Sequence, residues 1–221
     1  MSGIDGIASV IKPVGISSFS FMRQVQRKLG VKKIGHLGTL DPAACGVLVL
    51  LCGKATKLNQ QLSGGTKKYQ TCVYFSAETD TLDREGKVVA TSEKIPTRQE
   101  IEKILPEMVG DIEIEVPKFS AVHINGRRAY DLARKGIDFT PPKKVVEIYR
   151  FELLEQRSEK EFFFEIECQT GTYIRSLAKL IAQKLGTVAY CLEIIRTRVG
   201  DFRIEDAKTL RDVEITDIIN P

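Results

Sequence analysis

The stretch Gly35-His36-Leu37-Gly38-Thr39-Leu40-Asp41-Pro42, followed by the apolar run Val47–Cys52, is the most unusual part of the sequence. Glycines on both sides of His36 and Leu37 permit sharp or positive-φ backbone conformations, so a loop here can approach a ligand closely. Asp41 lies at the end of this loop. An Asp followed by Pro is also typical of a helix N-cap, and loop histidines are commonly structural. The residues alone favour these structural interpretations and leave a functional role open.

Capping signals and apolar periodicity predict three helices elsewhere in the chain. The second of them opens on a capping box, in which a Thr and a Glu three residues later satisfy each other's backbone N–H groups. The first helix is expected to start at Ser17 or Ser18 and to end at Gly30. The second is expected to start at Thr97–Glu100 and to end before Gly110, and the third to run from about Ile174 to just before Gly186.

Strand-like stretches separate these helices and predict an α+β fold. A short polar gap, Gln156–Lys160, indicates a hairpin between two of the strands. We therefore expect one domain over residues 1–221, with a mixed, largely antiparallel sheet flanked by helices. Residues 117–144 show neither the apolar periodicity of a helix nor that of a strand, and they are interpreted as an insertion. The predicted strands are Val47–Cys52, Tyr69–Phe75, Lys87–Thr91, Ile112–Val116, Val145–Leu154, Glu161–Gln169 and Leu192–Val199.

Composition and charge place the chain among folded, water-soluble proteins. It has 221 residues, 43% of them hydrophobic and 28% charged, which excludes disordered, collagenous and disulfide-scaffold classes. No apolar run approaches the roughly 18 residues of a membrane span, and no secretory signal is visible, so we expect a cytoplasmic protein. Residues 1–66 and 117–144 carry net charges of +6 and +5. Two basic segments are compatible with a polyanion-binding face or with ordinary solvated surface.

Signals for metals, nucleotides and cofactors are weak. The five cysteines form no CxxC pair, and the only two histidines, His36 and His123, lie far apart. Gly53-Lys54-Ala55-Thr56 contains the Gly-Lys of a phosphate loop, but it lacks the upstream glycine and the metal-binding hydroxyl after the lysine. No Gly-x-Ser-x-Gly elbow occurs. We expect no metal and no cofactor.

Several motifs, in order, resemble the TruB family of tRNA pseudouridine synthases. The segment 35–42 matches the family's defining Gly-His-x-Gly-Thr-Leu-Asp-Pro, and the resemblance extends over about residues 9–210. The further matching blocks are Lys12–Ser18, Gly53–Lys57, Lys67–Tyr69, Phe119–Ala121 with Gly126 and Tyr130, and Gly171–Arg175. The resemblance implies isomerisation of the T-loop uridine at tRNA position 55 to pseudouridine, without a cofactor, on a base flipped out of the loop.

The resemblance also implies roles for individual residues. Asp41 is the catalytic carboxylate, acting either as a nucleophile on the sugar or as a base that leads to a glycal. Tyr69 stacks on the target base and can assist loss of the C5 proton, and Arg175 pairs with the aspartate. His36 fills the space that the uridine vacates, and Ile194 forms an apolar pocket wall.

RNA binding is assigned to further positions of the same motifs and to the insertion. The basic side chains of the insertion match the family's RNA-gripping segment and would hold phosphates. The expected substrate or RNA contacts are Lys12, Gly35, Gly38, Thr39, Arg127, Arg128, Arg134, Lys135, Lys143 and Lys144. We expect the T-arm of tRNA as partner, no membrane and no obligate protein partner, and a monomer. We also expect no C-terminal PUA domain, and therefore weaker tRNA binding than in relatives that have one.

Some positions depart from the family pattern. Ile11 stands where Asp is common, His123 stands where Lys usually follows Ser-Ala, and Ile194-Ile195-Arg196 replaces Leu-Arg-Arg. Two alternatives remain: a catalytically silent tRNA-binding or tRNA-folding module, and a guide-RNA-dependent enzyme within a ribonucleoprotein.

Overall fold

The computed structural model describes residues 4–124 and 126–219. Its helices are α1 Ser18–Leu29, α2 Asn59–Leu62, α3 Arg98–Ile104, α4 Ala129–Arg134 and α5 Ile174–Lys184. Its strands are β1 Gly6–Lys12, β2 Ile34–Leu37, β3 Cys45–Cys52, β4 Thr66–Phe75, β5 Ala77–Thr79, β6 Val88–Thr91, β7 Gly110–Glu115, β8 His123–Ile124, β9 Arg127–Arg128, β10 Lys143–Gln156, β11 Glu161–Gln169, β12 Ala189–Val199 and β13 Phe202–Arg203. The α+β fold class is confirmed.

The three predicted helices are confirmed as α1, α3 and α5. Ser17 caps α1 by accepting the Ser20 N–H, and Gly30 ends it in the left-handed conformation with φ of 65°. Both halves of the capping box are present at the start of α3. After α3 the chain continues as a 3-10 helix over Leu105–Met108, because Pro106 has no N–H to bond the carbonyl four residues earlier.

The chain divides into two compact units, and the limits of these units along the sequence fall within strands β4, β11 and β12. The first unit contains the described residues up to Gln70, Glu167–Gly171, and the described residues from Ile194 onward. The second contains Thr71–Ile166 and Thr172–Glu193. Because strands of both units come from distant parts of the chain, neither unit is a continuous piece of sequence.

The first unit is built around β3, whose side chains are buried on both faces. β1 and β2 pair antiparallel with β3, and β12 pairs parallel with it at Ile195 and Arg196. Leu48 and Leu50 face α1, whereas Val47 and Val49 pack in a second cluster with Val199. Burial on both faces explains why this strand is a continuous apolar run rather than an alternating one.

The second unit contains the strand order β12-β4-β11-β10-β7 and the helices α3, α4 and α5. β7 and β10 pair antiparallel, and the hairpin predicted at Gln156–Lys160 joins β10 to its sheet neighbour β11. Edge-on aromatic pairs pack its core, with ring centroids 5.6 Å apart for Phe75 and Phe162. The insertion forms the small β8–β9 hairpin followed by α4.

Strands β1 and β2 were not predicted. β2 has only two apolar residues, with Gly35 and His36 between them, and in β1 Ala8 and Ser9 separate Ile7 from Val10, so neither stretch shows a regular strand alternation. They form because β3 offers a partner on each side. Contacts of this kind depend on tertiary structure rather than on local propensity.

Candidate active site

Asp41 lies on the segment 38–44, which joins the antiparallel neighbours β2 and β3. No helix follows it. Its carbonyl accepts the Ala44 N–H at 3.1 Å, so Asp41 opens a turn that leads into β3. The N-cap interpretation of Asp41-Pro42 is therefore wrong, and the half-buried carboxylate is not used to cap a helix.

Two anchors from the start of α1 fix this segment. Ser18 is buried, and its hydroxyl group donates to the Leu40 carbonyl at 2.9 Å, while the hydroxyl oxygen accepts the Leu40 N–H at 2.8 Å. The Gly15 N–H donates to the Pro42 carbonyl at 2.8 Å. Asp41 therefore lies between two residues whose backbones are tied to α1 and the loop before it.

Gly38 makes the sharp entry to this segment possible. Its φ of +69° is in the left-handed region, and a Cβ on this residue would lie 2.5 Å from the Lys67 Nζ. A side chain here would be strained by the backbone and would also collide with that lysine. The glycine that the sequence singled out is thus required by geometry. Gly35, by contrast, lies within β2, and a Cβ there would meet only ordinary van der Waals contact.

Arg196 connects β12 to the same segment. Its side chain is fully buried, and the guanidinium donates to the carbonyls of Gly38 and Thr39 and to that of Val47 at the start of β3. The side chain of Thr39, a predicted RNA contact, is exposed. Ile194 precedes Arg196 by two positions on β12, so the two share a face of the strand, and Ile194 is 5% exposed.

Tyr69, on β4, belongs to the same unit and is buried. Burial raises the pKa of its hydroxyl, while the positive charge of Arg196 and a hydrogen bond with that side chain act in the opposite direction. The negative charge of Asp41 contributes to raising it. The structure thus brings Asp41, Tyr69 and Arg196 within electrostatic reach of one another. Tyr69 is a neutral phenol near pH 7.

His36, on β2, is a neutral imidazole in this environment. Burial lowers its pKa, and the nearby Arg196 charge acts in the same direction. Its Nδ1 atom is buried and has no hydrogen-bond partner among the described residues. A neutral ring is suited to apolar and stacking contacts rather than to ion pairing with phosphate.

Arg175 belongs to the second unit, in the first turn of α5. Its buried guanidinium donates to the carbonyls of Thr81 at 2.6 Å and Phe119 at 3.1 Å, and Nη1 lies 3.7 Å from the Asp83 carboxylate. The Asp83 carboxylate in turn accepts the Thr81 hydroxyl at 2.6 Å. Arg175 is therefore held by backbone and side-chain partners on two separate loops.

The basic residues of the insertion also lie in the second unit, and four of them surround α4. Arg127, Arg128 and Lys135 line a depression of about 730 Å³, and Arg134 lies over the Tyr130 ring at 5.7 Å. The remaining two are on β10: Lys143 is exposed and pairs with Glu113 at 2.8 Å, and Lys144 lies over the Tyr173 ring. All except Lys144 are largely exposed.

Lys12, another predicted RNA contact, is fully buried at the end of β1. Its ammonium donates to the carbonyls of Pro13 at 2.7 Å and Ile16 at 2.8 Å. These bonds hold the turn that precedes α1. A contact of Lys12 with RNA stays a prediction.

Sequence reasoning missed three residues that organise these sites: Ser18 as a loop anchor, Arg196 and Asp83. Arg196 was visible as part of a motif, but its partners at Gly38 and Thr39 are more than 150 positions away in the chain. Asp83 follows an ordinary acidic turn, and nothing local distinguishes it from Asp80.

Among the described residues, no group of three or more His, Cys, Asp or Glu side chains is placed to hold a metal ion. Within the same residues, every helix is too short or too polar to cross a membrane.

Comparisons with known proteins agree on one family. Residues 26–174 match the family model described as TruB family pseudouridylate synthase, N-terminal domain. A tRNA pseudouridine synthase B of Geobacillus thermodenitrificans (strain NG80-2) is 41% identical over 218 residues, which cover 96% of this chain and 72% of that protein. The corresponding protein of Caulobacter vibrioides (strain ATCC 19089 / CIP 103742 / CB 15) is 36% identical over 211 residues, covering 96% and 68%.

Solved structures show the same fold. One chain in the crystal structure of a Cbf5-Nop10-Gar1 complex matches this chain with a TM-score of 0.72 and 29% sequence identity. The match covers 94% of this chain and 53% of that chain. An H/ACA RNP bound to a substrate RNA containing 2′-deoxyuridine gives a TM-score of 0.70 and 26% identity, covering 94% and 51%. The motif at 35–42, the loop that it builds and these similarities lead to one conclusion: the chain belongs to the TruB family of pseudouridylate synthases.

Proposed function

We propose that this chain converts the T-loop uridine at position 55 of tRNA to pseudouridine, with Asp41 as the catalytic carboxylate. Membership of the TruB family, and relatives named tRNA pseudouridine synthase B, support uridine isomerisation in tRNA as the activity. The observation that supports Asp41 most strongly is its position: a half-buried carboxylate on a loop anchored at both ends, within electrostatic reach of the buried Tyr69.

The reaction rearranges bonds within one nucleoside. The N1–C1′ bond breaks, the uracil turns, a C5–C1′ bond forms, the C5 proton leaves and N1 gains a proton. The Asp41 carboxylate can attack C1′ or remove a proton from the neighbouring C2′, and either step needs it ionised and close to the ribose. A rigid loop supplies this placement before the substrate arrives.

Tyr69 is proposed to act through its aromatic ring and its neutral hydroxyl. Its raised pKa keeps the phenol protonated, so the flat ring can stack on the uracil without a competing charge. Ile194, buried on the neighbouring strand, is proposed to close the pocket with apolar surface. The roles of Arg175 in pairing with the carboxylate and of His36 in filling the emptied T-loop position stay predictions.

The insertion is proposed to grip the T-arm through phosphates. Three exposed cations, Arg127, Arg128 and Lys135, line one depression, which suits a polyanion better than a single small anion, and the exposed Arg134 lies nearby over the Tyr130 ring. We also propose that one catalytic domain acts alone on tRNA, as a monomer in the cytosol and with no cofactor.

A direct test uses the purified chain and an unmodified tRNA transcript containing tritium at C5 of uridine, with no other RNA or protein. Isomerisation at position 55 releases tritium to water. We expect release from the transcript and none above background from a matched transcript with cytidine at position 55. Binding of the transcript without release would support the silent module. Release that needs an added guide RNA would support the ribonucleoprotein alternative.

A further inference from the structure

Arg196 stands out as a charged side chain that is completely buried. It is 0% exposed and is among the largest side chains so enclosed. A guanidinium is costly to remove from water unless its N–H groups find acceptors with good geometry. The hydrogen-bond acceptors of the Arg196 guanidinium therefore indicate its structural role.

The partners are backbone carbonyls on both sides of Asp41. Nε donates to the Val47 carbonyl at 2.8 Å, Nη2 donates to the Gly38 carbonyl at 3.1 Å, and Nη1 points to the Thr39 carbonyl at 3.4 Å. One planar group thus joins the entry of the 38–44 segment to the strand that follows it. Because the guanidinium fork is rigid, these carbonyls are held in a fixed relation to each other.

Gly46 allows the backbone of Arg196 to come this close. It lies opposite Arg196 in the parallel pairing of β3 and β12 and has a φ of +108°. A Cβ on Gly46 would lie 2.2 Å from the Arg196 carbonyl oxygen, which no side chain could tolerate. The close packing of these two strands is therefore built into the sequence.

The same guanidinium also reaches Tyr69. It lies within hydrogen-bonding and electrostatic reach of the tyrosine hydroxyl, where it opposes the rise in pKa that burial causes, and its charge lowers the pKa of His36. Arg196 thus connects the loop that carries Asp41 with both aromatic residues of the proposed site.

We propose that Arg196 is a positioning residue, which fixes the loop bearing Asp41 and the hydroxyl of Tyr69 relative to each other without touching the RNA. This inference rests on the proposed function, because it assumes that Asp41 and Tyr69 act on the uridine. Misplacement of a reacting group by about 1 Å can reduce a rate by about 100-fold. Loss of this fork should therefore slow the chemical step and leave RNA affinity nearly unchanged.

The experiment compares Arg196→Met and Arg196→Lys with Arg198→Met. Arg198 is the matched control because it lies two residues further along β12 and pairs with Glu167 instead of the loop. Single-turnover tritium release and transcript binding are measured separately, and thermal melting shows that each variant folds. We expect a rate loss of about 100-fold in Arg196→Met and about 10-fold in Arg196→Lys, with affinity within about threefold of wild type. Arg198→Met should keep a rate within about threefold of wild type.

Each other outcome has a definite meaning. Inactive wild-type protein would contradict the proposed function and leave no reaction for Arg196 to support. Active wild type with folded Arg196 variants of equal rate would overturn the positioning role alone. A loss of RNA affinity as large as the loss of rate would instead make Arg196 a binding residue. If neither Arg196 variant folds, Arg196 is a stability residue, and the inference is equally overturned.

Discussion

The Ser18 hydroxyl both donates to and accepts from the backbone of Leu40, at 2.9 and 2.8 Å. This reciprocal pair joins the first residue of α1 to the residue before Asp41, across 22 positions of sequence. It satisfies a backbone N–H and a carbonyl in a buried place, where unpaired groups are costly. The beginning of α1 is therefore a structural support of the proposed active-site loop.

Ser18→Ala should lower the free energy of unfolding by about 1–3 kcal/mol, because the Leu40 N–H and carbonyl lose their partner without access to water. Urea denaturation measures the change. Ser20→Ala is the matched control, since Ser20 is exposed on the same helix turn, and it should change stability by less than about 0.5 kcal/mol. Equal effects of the two substitutions would show that the Leu40 contact is not stabilising.

Asp83→Asn should destabilise the protein more strongly, by about 3 kcal/mol, because it removes a buried negative charge that lies 3.7 Å from the buried Arg175 guanidinium. Asp80→Asn provides the comparison. Asp80 is an exposed carboxylate in the same turn and accepts the Lys87 N–H at 2.9 Å. A stability loss in Asp83→Asn no larger than in Asp80→Asn would contradict the ion-pair interpretation.

The stability of the protein should fall as the pH drops below about 6.5, the ordinary pKa of histidine. The pKa of His36 is lowered in the folded protein. As the pH falls, His36 is therefore protonated in the unfolded chain before it is protonated in the folded chain, and this favours unfolding. The slope from this residue cannot exceed about 1.4 kcal/mol per pH unit. Urea denaturation between pH 5.5 and 8 should show a shallower dependence in His36→Gln than in His123→Gln, a substitution of the exposed histidine. Identical profiles would remove His36 as the cause.

Arg127→Ala combined with Arg128→Ala should weaken tRNA binding and reduce the salt dependence of that binding by about one unit of slope for each lost phosphate contact. The single-turnover rate at saturating enzyme should change little, because these residues belong to the proposed grip. Titration at several salt concentrations provides the measurement. Arg98→Ala with Lys103→Ala removes two charges from α3 and serves as the control. A salt slope equal to wild type would exclude phosphate contact by the insertion.

The sequence predicted the features that depend on neighbouring residues. Ser17 and Gly30 delimit α1, and Thr97 and Glu100 form the expected capping box. Local side chains determine such boundaries, so short windows are sufficient. The loop at 35–42 was also identified, because one of its two glycines, Gly38, adopts a backbone conformation that other residues rarely adopt.

The supports of the site were not predicted, because they join distant parts of the chain. Arg196 reaches Val47, Gly38 and Thr39 across about 150 residues, and Asp83 and Arg175 meet across 92 positions. Nothing in the local sequence distinguishes such residues from exposed arginines and aspartates. Even the Asp-Pro pair was ambiguous, since a turn into β3 and a helix N-cap use the same two residues.

Single-turnover tritium release by Asp41→Asn is the most direct measurement of the role assigned to Asp41. The substitution keeps the shape of the side chain and removes its charge. Asp5→Asn is the matched control, because Asp5 is the other acidic residue of segment 1–66 and contacts Lys54 instead. We expect no detectable release by Asp41→Asn with transcript binding retained, and release by Asp5→Asn near the wild-type rate. Release by folded Asp41→Asn at the wild-type rate would contradict a catalytic role for this carboxylate.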